Sequence, residues 1–286
     1  MIEVKNLNFT YGKGSKNSSI LKDINFTINK GEIFGFLGPS GAGKSTTQKI
    51  IIGILKNYLG SVKVMGKEVR DVKEDYYEKI GVSFELPNLY TKFTASENLS
   101  YFRGMYNGET EDINKLLAMV NLENYSNKKV SDFSKGMKMR LNFCRAFLNN
   151  PEIIFLDEPT SGLDPLNAKN IKDIVLQKKE EGKTIFLTTH NMNVAEELCD
   201  RIAFIVDGRI KLIDSPRELK IKRGSKNIKV EYKEDGIIKE EVFTMDDIGY
   251  NNDFLKTIKE KKVERICTME ATLEDIFIEV TGRSLS

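Results

Sequence analysis

The feature that most restricts the fold of this chain is the segment Gly38–Ser45, which reads GPSGAGKS and fits GxxxxGK[ST] at every fixed position. The residues before it, Ile33–Leu37, are almost all apolar, as in a strand buried on both faces, and Thr46–Leu55 is typical of a helix. Such a turn binds phosphate, because its backbone N–H groups surround the oxygens and the helix N-terminus adds positive potential. The predicted phosphate-binding residues are Gly38, Pro39, Ser40, Gly41, Ala42, Gly43, Lys44, Ser45 and Thr46.

Charged side chains at fixed places extend this prediction to ATP hydrolysis. Lys44 is placed to reach the β- and γ-phosphates, and the Ser45 hydroxyl is placed to ligate Mg²⁺. The apolar run Ile153–Leu156 delivers Asp157 to a sheet edge, where it can hold Mg²⁺ through water. Glu158 is suited to act as general base for the attacking water. An acidic pair after an apolar strand is often only a solvated strand end, but behind a phosphate-binding loop it favours catalysis with ATP and Mg²⁺.

Short buried-strand patterns alternate with helical stretches around these motifs, at residues 153–156, 184–188 and 202–206. This alternation predicts an α/β core with a parallel sheet. Residues 2–11 and 21–28 alternate like strands on either side of a Gly/Ser/Asn-rich loop at 12–19. A helical insertion at about 86–150 interrupts the core, with helices expected at 98–106, 112–120 and 138–148.

The pattern changes after Pro216. A basic stretch at 220–226 precedes a β-hairpin that turns at Asp235 and Gly236, a further strand at 263–270 and a helix at 272–282. These elements predict a small α+β domain. We therefore divide the chain into an ATPase domain, residues 1–216, and a C-terminal accessory domain, residues 217–286.

Composition excludes several other classes of protein. The net charge of +2 is evenly spread, so neither end reads as a basic arm for nucleic acid. Three scattered cysteines fit a reducing cytosol, and a single histidine makes a zinc site improbable. The N-terminus lacks the profile of a signal peptide, and the longest apolar runs fall far short of the roughly 20 residues that span a bilayer. Any membrane role is therefore expected to need a partner.

The remaining motifs resemble those of the ATPase subunits of ABC transporters, over residues 1 to about 216. FSKGM at Phe133–Met137 resembles the ABC signature, usually written LSGGQ, and SGLD at Ser161–Asp164 resembles the D-loop. His190 ends a strand where the family has its switch histidine. Tyr11 follows the first strand, like the aromatic residue that stacks on adenine.

This resemblance implies an α/β P-loop NTPase of the ABC type with a helical insertion. Two such ATPase subunits, identical or different, would face head to tail, with ATP between one phosphate-binding loop and the partner's signature. Ser134 and the amide of Gly136 would then hold the γ-phosphate across the interface. His190 would contact it from its own side, and Asp164 would link the two sites. The other implied partner is an integral membrane permease, which would hold the subunit on the cytoplasmic face of the membrane.

The chain departs from the ABC family pattern at three positions, and its signature also indicates a subclass of exporters. Glu85 stands where the family has its Q-loop glutamine, and it adds a negative charge. It can ligate Mg²⁺, which is the role we assign to it, or orient water. Lys135 and Met137 replace the second and last signature residues, and Lys135 brings a positive charge near the partner's phosphates. SKGM and the C-terminal sequence TLEDIFIEVTG resemble exporters of the ABC-2 type, which implies export.

Two alternatives are weighed against transport. A soluble ABC ATPase of DNA repair or translation would carry a long coiled coil or a second cassette with basic arms, and this chain shows no sustained heptads and one copy of each motif. A regulatory module without catalysis is disfavoured by Glu158 and His190. By resemblance, a permease helix would dock on Glu85–Arg103, where apolar side chains cluster more densely than a solvated loop requires: Leu86, Leu89, Tyr90 and Phe93. The alternative is that these side chains pack inside the helical insertion.

Overall fold

A computed structural model describes residues 1–12, 19–223, 227–269 and 271–283. Most of the predicted Gly/Ser/Asn-rich loop, residues 13–18, lies outside the described residues, as does the end of the basic stretch, residues 224–226. The chain forms two compact units, the first over Met1–Ser215 and the second beginning at Pro216.

The first unit contains two sheets and the helices that flank them. Its strands are β1 (Ile2–Phe9), β2 (Leu21–Ile28), β3 (Ile33–Leu37), β4 (Leu59–Val64), β5 (Lys67–Glu68), β6 (Ile80–Ser83), β7 (Ile153–Asp157), β8 (Thr184–Thr189), β9 (Arg201–Val206) and β10 (Arg209–Asp214). Its helices are α1 (Lys44–Ile51), α2 (Glu74–Tyr77), α3 (Ala95–Arg103), α4 (Ile113–Met119), α5 (Lys135–Arg145), α6 (Pro165–Glu180) and α7 (Met192–Leu198).

The central sheet has the order β10-β9-β3-β8-β7-β6 and is parallel except for β10. Every residue of β3, β7 and β8 is buried, which explains their continuous apolar sequences. Because parallel strands end at the same edge, the residues that follow β3, β6, β7 and β8 meet there. The predicted parallel α/β core is therefore present.

A second, antiparallel sheet has the order β2-β1-β4-β5. Aromatic rings join it to the central sheet, since Phe26 of β2 stacks on Phe34 of β3 with ring centroids 5.4 Å apart. Phe36 and Phe186 extend this contact, at a centroid distance of 5.7 Å. The sequence analysis anticipates β1 and β2 but identifies neither β4 nor β5.

Helices α3, α4 and α5 begin at polar caps. Thr94 and Glu97 form a capping box at α3, and the Asp112 carboxylate accepts the Lys115 N–H at α4. The sequence pattern predicts a third helix from Lys138. That helix, α5, instead begins at Lys135, because the Ser134 hydroxyl accepts the Met137 N–H at 3.2 Å.

The second unit consists of α8 (Pro216–Arg223), β11 (Asn227–Glu234), β12 (Ile237–Thr244), α9 (Asn252–Glu260), β13 (Lys262–Met269) and α10 (Leu273–Thr281). Its sheet has the order β12-β11-β13, with an antiparallel hairpin that turns at Asp235 and Gly236, both at positive φ. Over the described ranges of both units, no helix combines the length and apolarity that crossing a bilayer requires.

Candidate active site

A cavity of about 640 Å³ lies at the edge of the central sheet where its parallel strands end. It is lined by Tyr11, Ile20, Ser40, Gly41, Gly43, Lys44, Ser45, Thr46, Glu85, Asp157, Glu158 and His190. Residues distant in sequence thus meet because β3, β6, β7 and β8 are neighbours. Gly38, Pro39 and Ala42 belong to the same loop but do not line the cavity.

The loop between β3 and α1 adopts conformations and contacts that only glycine permits. Gly43 has φ +111°, in the left-handed region. A Cβ on Gly38 would lie 2.1 Å from the carbonyl oxygen of Ile205, which excludes any side chain. The Lys44 ammonium donates to the carbonyl oxygens of Gly38 and Pro39 at 2.5 and 3.1 Å. The Lys44 side chain is therefore held against the backbone of the phosphate-binding loop.

Among the described residues that line this cavity, Lys44 carries a permanent positive charge, and burial and acidic neighbours set its pKa. Burial lowers the pKa of Lys44, while the negative charges of Glu158, Asp157 and Glu85 raise it. The Lys44 ammonium can offer a charge-assisted contact to an anion that enters the cavity.

Asp157, the last residue of β7, is held by two hydroxyls. Ser45 Oγ donates to its Oδ2 at 3.3 Å, and Thr188 Oγ1 donates to its Oδ1. Burial raises the pKa of Asp157, the negative charge of Glu158 raises it further, and the two hydroxyls lower it. The Ser45 hydroxyl and the Asp157 carboxylate therefore lie side by side, and both carry oxygen atoms of the type that Mg²⁺ prefers.

Glu158 is 7% exposed and has φ +48°, a left-handed conformation that is uncommon outside glycine. Its carboxylate accepts hydrogen bonds from Thr189 Oγ1 and from the backbone N–H of His190, both at 2.9 Å. The ring nitrogen Nδ1 of His190 lies 2.6 Å from Glu158 Oε1. The strained backbone and these contacts fix the carboxylate beside an exposed imidazole.

Tyr11 and Glu85 lie at the rim of the cavity. The Tyr11 ring packs edge-on against Phe9 at a centroid distance of 4.8 Å, and its hydroxyl lies 3.4 Å from Thr46 Oγ1. Glu85 follows β6 and is exposed. The structure thus brings these two residues together with the phosphate-binding loop.

Ser134 and Gly136 do not line the cavity. Ser134 is exposed at the start of α5, and a Cβ on Gly136 would lie 3.6 Å from Leu163 of the predicted D-loop. The Lys135 side chain passes over Gly162, with Cε 3.1 Å from the position that a Cβ would occupy. Within one chain, the predicted signature is therefore separate from the other site residues.

A larger cavity of about 930 Å³ forms a groove beside the helical insertion. We call it the insertion groove; it is lined by Ile52, Glu74, Tyr77, Glu78, Ile80, Val82, Phe84, Pro87, Asn88, Leu89, Tyr90, Phe102, Met105, Tyr106, Asn107 and Arg145. Leu89 and Tyr90, predicted to contact a partner, line it, whereas Leu86 and Phe93 are exposed outside its lining.

Several functional candidates escape sequence reasoning. Thr188 donates a hydrogen bond to Asp157, and Thr189 donates one to Glu158. In the sequence, these two residues are marked only by a pair of hydroxyls at the end of an apolar strand. Arg145 lies in the insertion groove, with its guanidinium 4.5 Å from the centre of the Phe102 ring. Among the described residues, no cluster of three or more His, Cys, Asp or Glu side chains could hold a metal by itself. A cation at this site would therefore complete its coordination with phosphate oxygens and water.

Comparison with known proteins extends over both units. A sequence family described as ABC transporter matches residues 21–161, and one described as fluoroquinolone efflux ABC transporter C-terminal domain matches residues 226–270. The chain is 51% identical over 287 residues to a fluoroquinolones export ATP-binding protein of Mycobacterium tuberculosis, covering 100% of this chain and 95% of that protein. It is 33% identical over 318 residues to the linearmycin resistance ATP-binding protein of Bacillus subtilis, covering 100% and 99%.

Solved structures show the same similarity over about three quarters of the chain. A dimeric ATP-binding cassette in a post-hydrolysis state, bound to ADP and Pi, aligns with a TM-score of 0.69 at 32% identity and covers 75% of this chain and 98% of that chain. An ATP-binding subunit of an ABC transporter aligns with a TM-score of 0.68 at 31% identity, covering 78% and 92%.

Proposed function

The chain belongs to the ATP-binding subunits of ABC transporters and is an ATPase that powers export, and on this premise we propose a role for each residue of its cavity. One observation carries the proposal: a single cavity gathers the cation Lys44, the hydroxyl of Ser45 and the carboxylates of Asp157 and Glu158. In this assignment the phosphate-binding loop and Lys44 hold the β- and γ-phosphates of ATP, and Tyr11 stacks on the adenine.

Mg²⁺ is assigned to Ser45 and Asp157, whose oxygens lie 3.3 Å apart, with Glu85 as an additional ligand from the rim. The bound ion would neutralise the charge that develops on the phosphates. Hard oxygen donors fit this ion, and the small number of protein ligands leaves room for phosphate and water.

Glu158 is assigned as the general base. Its carboxylate takes a proton from the attacking water, while Thr189 and His190 keep that carboxylate in place. His190 is exposed on the cavity side and is assigned to the γ-phosphate. A base held within hydrogen-bond reach in this way contributes about 10²–10⁴-fold to a reaction rate.

The site is completed by a second ATPase subunit. Ser134 and Gly136 lie outside the cavity of their own chain, yet an exposed serine at a helix start can present its hydroxyl and nearby amides to phosphate. We assign them to the γ-phosphate bound by a partner that faces the chain head to tail. The dimeric cassette of similar fold supports this arrangement.

The insertion groove is assigned to a cytoplasmic helix of an integral membrane permease. Leu89, Tyr90 and Phe102 supply apolar and aromatic surface, which suits the apolar face of a helix. Glu74 and Arg145 add charges of both signs that would fix the register of such a helix. This partner places the subunit on the cytoplasmic face of the membrane.

The cargo we propose is a drug-like molecule of the fluoroquinolone class. Support comes from the full-length relative with that name and from the matching family at residues 226–270. Relatives that span the whole chain carry export or resistance names, which favours transport over a soluble role in DNA repair or translation.

Two experiments test this proposal. The first purifies the protein in detergent from the cells that make it, and the second measures fluoroquinolone accumulation in a strain from which its gene has been deleted. We expect a membrane protein to co-purify, and we expect the wild-type gene, but not Glu158→Gln, to restore low accumulation. Co-purification with ribosomes or DNA-repair proteins, with unchanged drug accumulation, would contradict the proposal.

A further inference from the structure

The segment Phe84–Asn88 contributes to both cavities of the first unit. Glu85 lines the cavity that also holds Lys44 and Asp157, which we call the nucleotide cavity, whereas Phe84, Pro87 and Asn88 line the insertion groove. Whatever fixes this segment therefore determines where the Glu85 carboxylate lies.

Helix α5 holds the segment at both of its ends. Asn142 Nδ2 donates to the carbonyl oxygen of Phe84 at 2.7 Å and to Ser83 Oγ at 3.1 Å. Arg145, one turn further along α5, donates to the carbonyl oxygen of Asn88 at 2.9 Å. Since the peptide unit is planar, a bond to the Phe84 oxygen also fixes the amide nitrogen of Glu85 and, through it, the Glu85 Cα.

Asn142 is fully buried, and its Oδ1 has no hydrogen-bond partner among the described residues. Burying an unpaired acceptor is unfavourable, so an apolar residue would suit this place better if packing alone mattered. The chain keeps an amide whose donor side serves Ser83 and Phe84. The buried amide of Asn142 is therefore explained by its hydrogen bond to Phe84, the residue before Glu85.

We propose that Asn142 is a positioning residue for Glu85, holding its carboxylate at the cation site of the nucleotide cavity. The inference rests on the proposed role of Glu85 as a Mg²⁺ ligand. Loss of the Asn142 amide frees the Phe84 carbonyl and lets the Glu85 backbone move, although the carboxylate itself is unchanged.

Asn149 provides a matched control within the same chain. It is also a buried asparagine with an unpartnered Oδ1, and its Nδ2 donates to the carbonyl oxygens of Tyr77, Glu78 and Ile80. Those bonds hold the end of α2, the turn after it and the first residue of β6, and none of them is to Phe84 or Glu85. Asn149→Ala therefore removes the same chemistry at a place that leaves the cation site alone.

The first measurement is the equilibrium affinity of the full-length protein for a non-hydrolysable ATP analogue, with Mg²⁺ and with EDTA. We expect Glu85→Ala to reduce the gain in affinity due to Mg²⁺ about tenfold, and Asn142→Ala to reduce it about three- to tenfold. Asn149→Ala should stay within about twofold of wild type. Should Asn142→Ala fail to fold, Asn142→Ser, whose shorter side chain does not reach the Phe84 oxygen, replaces it.

The second measurement is the double variant Asn142→Ala/Glu85→Ala. If Asn142 acts through Glu85, the double variant should match Glu85→Ala within about twofold. Additive losses would overturn the positioning role while leaving Glu85 as a ligand. A neutral Glu85→Ala would overturn both this inference and the cation role of Glu85.

Amide hydrogen exchange in the nucleotide-free protein gives a readout without ligand. We expect faster exchange at residues 85, 86 and 88 in Asn142→Ala than in Asn149→Ala, at equal thermal stability. Equal exchange in the two variants would also overturn the proposal.

Discussion

The two cavities of the first unit are built in different ways. In the nucleotide cavity, Asp157 and Glu158 are buried at strand ends and held by Ser45, Thr188 and Thr189. The insertion groove is instead lined mainly by apolar and aromatic side chains, of which Tyr90 is 45% exposed. The groups proposed to take part in hydrolysis are thus fixed by hydrogen bonds, whereas the surface proposed for a partner keeps apolar area open.

This difference implies that the two cavities can be disabled separately. Changes in the nucleotide cavity should abolish hydrolysis in the isolated subunit and leave the groove able to bind a permease. Changes in the groove should abolish permease binding and leave hydrolysis by the isolated subunit intact. The segment Phe84–Asn88 is where the separation should fail, because it contributes to both cavities.

The largest effect is expected for Glu158→Gln. This change removes the base while keeping the shape of the side chain, so hydrolysis should fall by about 10²–10⁴-fold. ATP binding should persist and ATP should trap a dimer, as measured by light scattering. Because the groove is untouched, the permease should still co-purify. Near-normal turnover would remove Glu158 from the mechanism.

Next in size is the disruption of the groove. An aspartate at Leu89 or Tyr90 would place an unpaired charge in an apolar interface, so permease binding should weaken by about a hundredfold or more. Hydrolysis by the isolated subunit should stay within about twofold of wild type. Tyr125→Asp is the control, since Tyr125 is 42% exposed and does not line the groove. If Leu89→Asp and Tyr90→Asp both fold and show normal permease co-purification and transport, the proposed role of the groove in binding the permease would be contradicted.

Lys44→Ala tests binding in the nucleotide cavity. Loss of a charge-assisted contact costs about 1.5–3 kcal/mol, so ATP affinity should fall by about 10- to 150-fold. The measurement is a titration with labelled ATP in EDTA, where the cation contributes nothing. Unchanged affinity would show that the lysine is not directed at the phosphates.

The smallest effect concerns Asp157 in the absence of nucleotide. Burial raises its pKa above the value in the unfolded chain, so the stability it contributes is present at low pH and is lost as pH rises through the folded-state pKa. Asp157→Asn stays neutral at every pH. It should therefore raise the melting temperature by a few degrees at pH 8 and much less at pH 4. A larger gain at pH 4 would contradict the raised pKa.

The sequence predicts the nucleotide cavity well because its parts are local. A glycine pattern fixes the loop at Gly38–Ser45, and an apolar run fixes where Asp157 and Glu158 emerge. The parallel order of the strands then brings these segments to one edge. The roles of the individual residues in that cavity stay predictions.

Other parts depend on contacts that no local pattern contains. Strand β4 begins LGS and reads as a turn, yet it pairs with β1 where Gly60 approaches the Lys5 and Asn6 carbonyls. Helix α9 lies between β12 and β13, in a segment for which no element is predicted from the sequence. The bond from Asn142 to Phe84 joins residues 58 positions apart, and a single asparagine in a helix gives no sign of it.

We propose that ATP is hydrolysed between two ATPase subunits that face head to tail, here two copies of this chain, with Ser134 of one copy completing the cavity of the other. Mixing two variants, Ser134→Arg and Glu158→Gln, tests it most directly. Each should be nearly inactive alone, because every pair lacks either a signature or a base. A mixed pair has one cavity with an intact Glu158 and an intact Ser134 from the partner copy. ATPase activity should therefore rise at least tenfold above that of either variant. A mixture that stays as inactive as its components, although the two variants pair, would contradict the account.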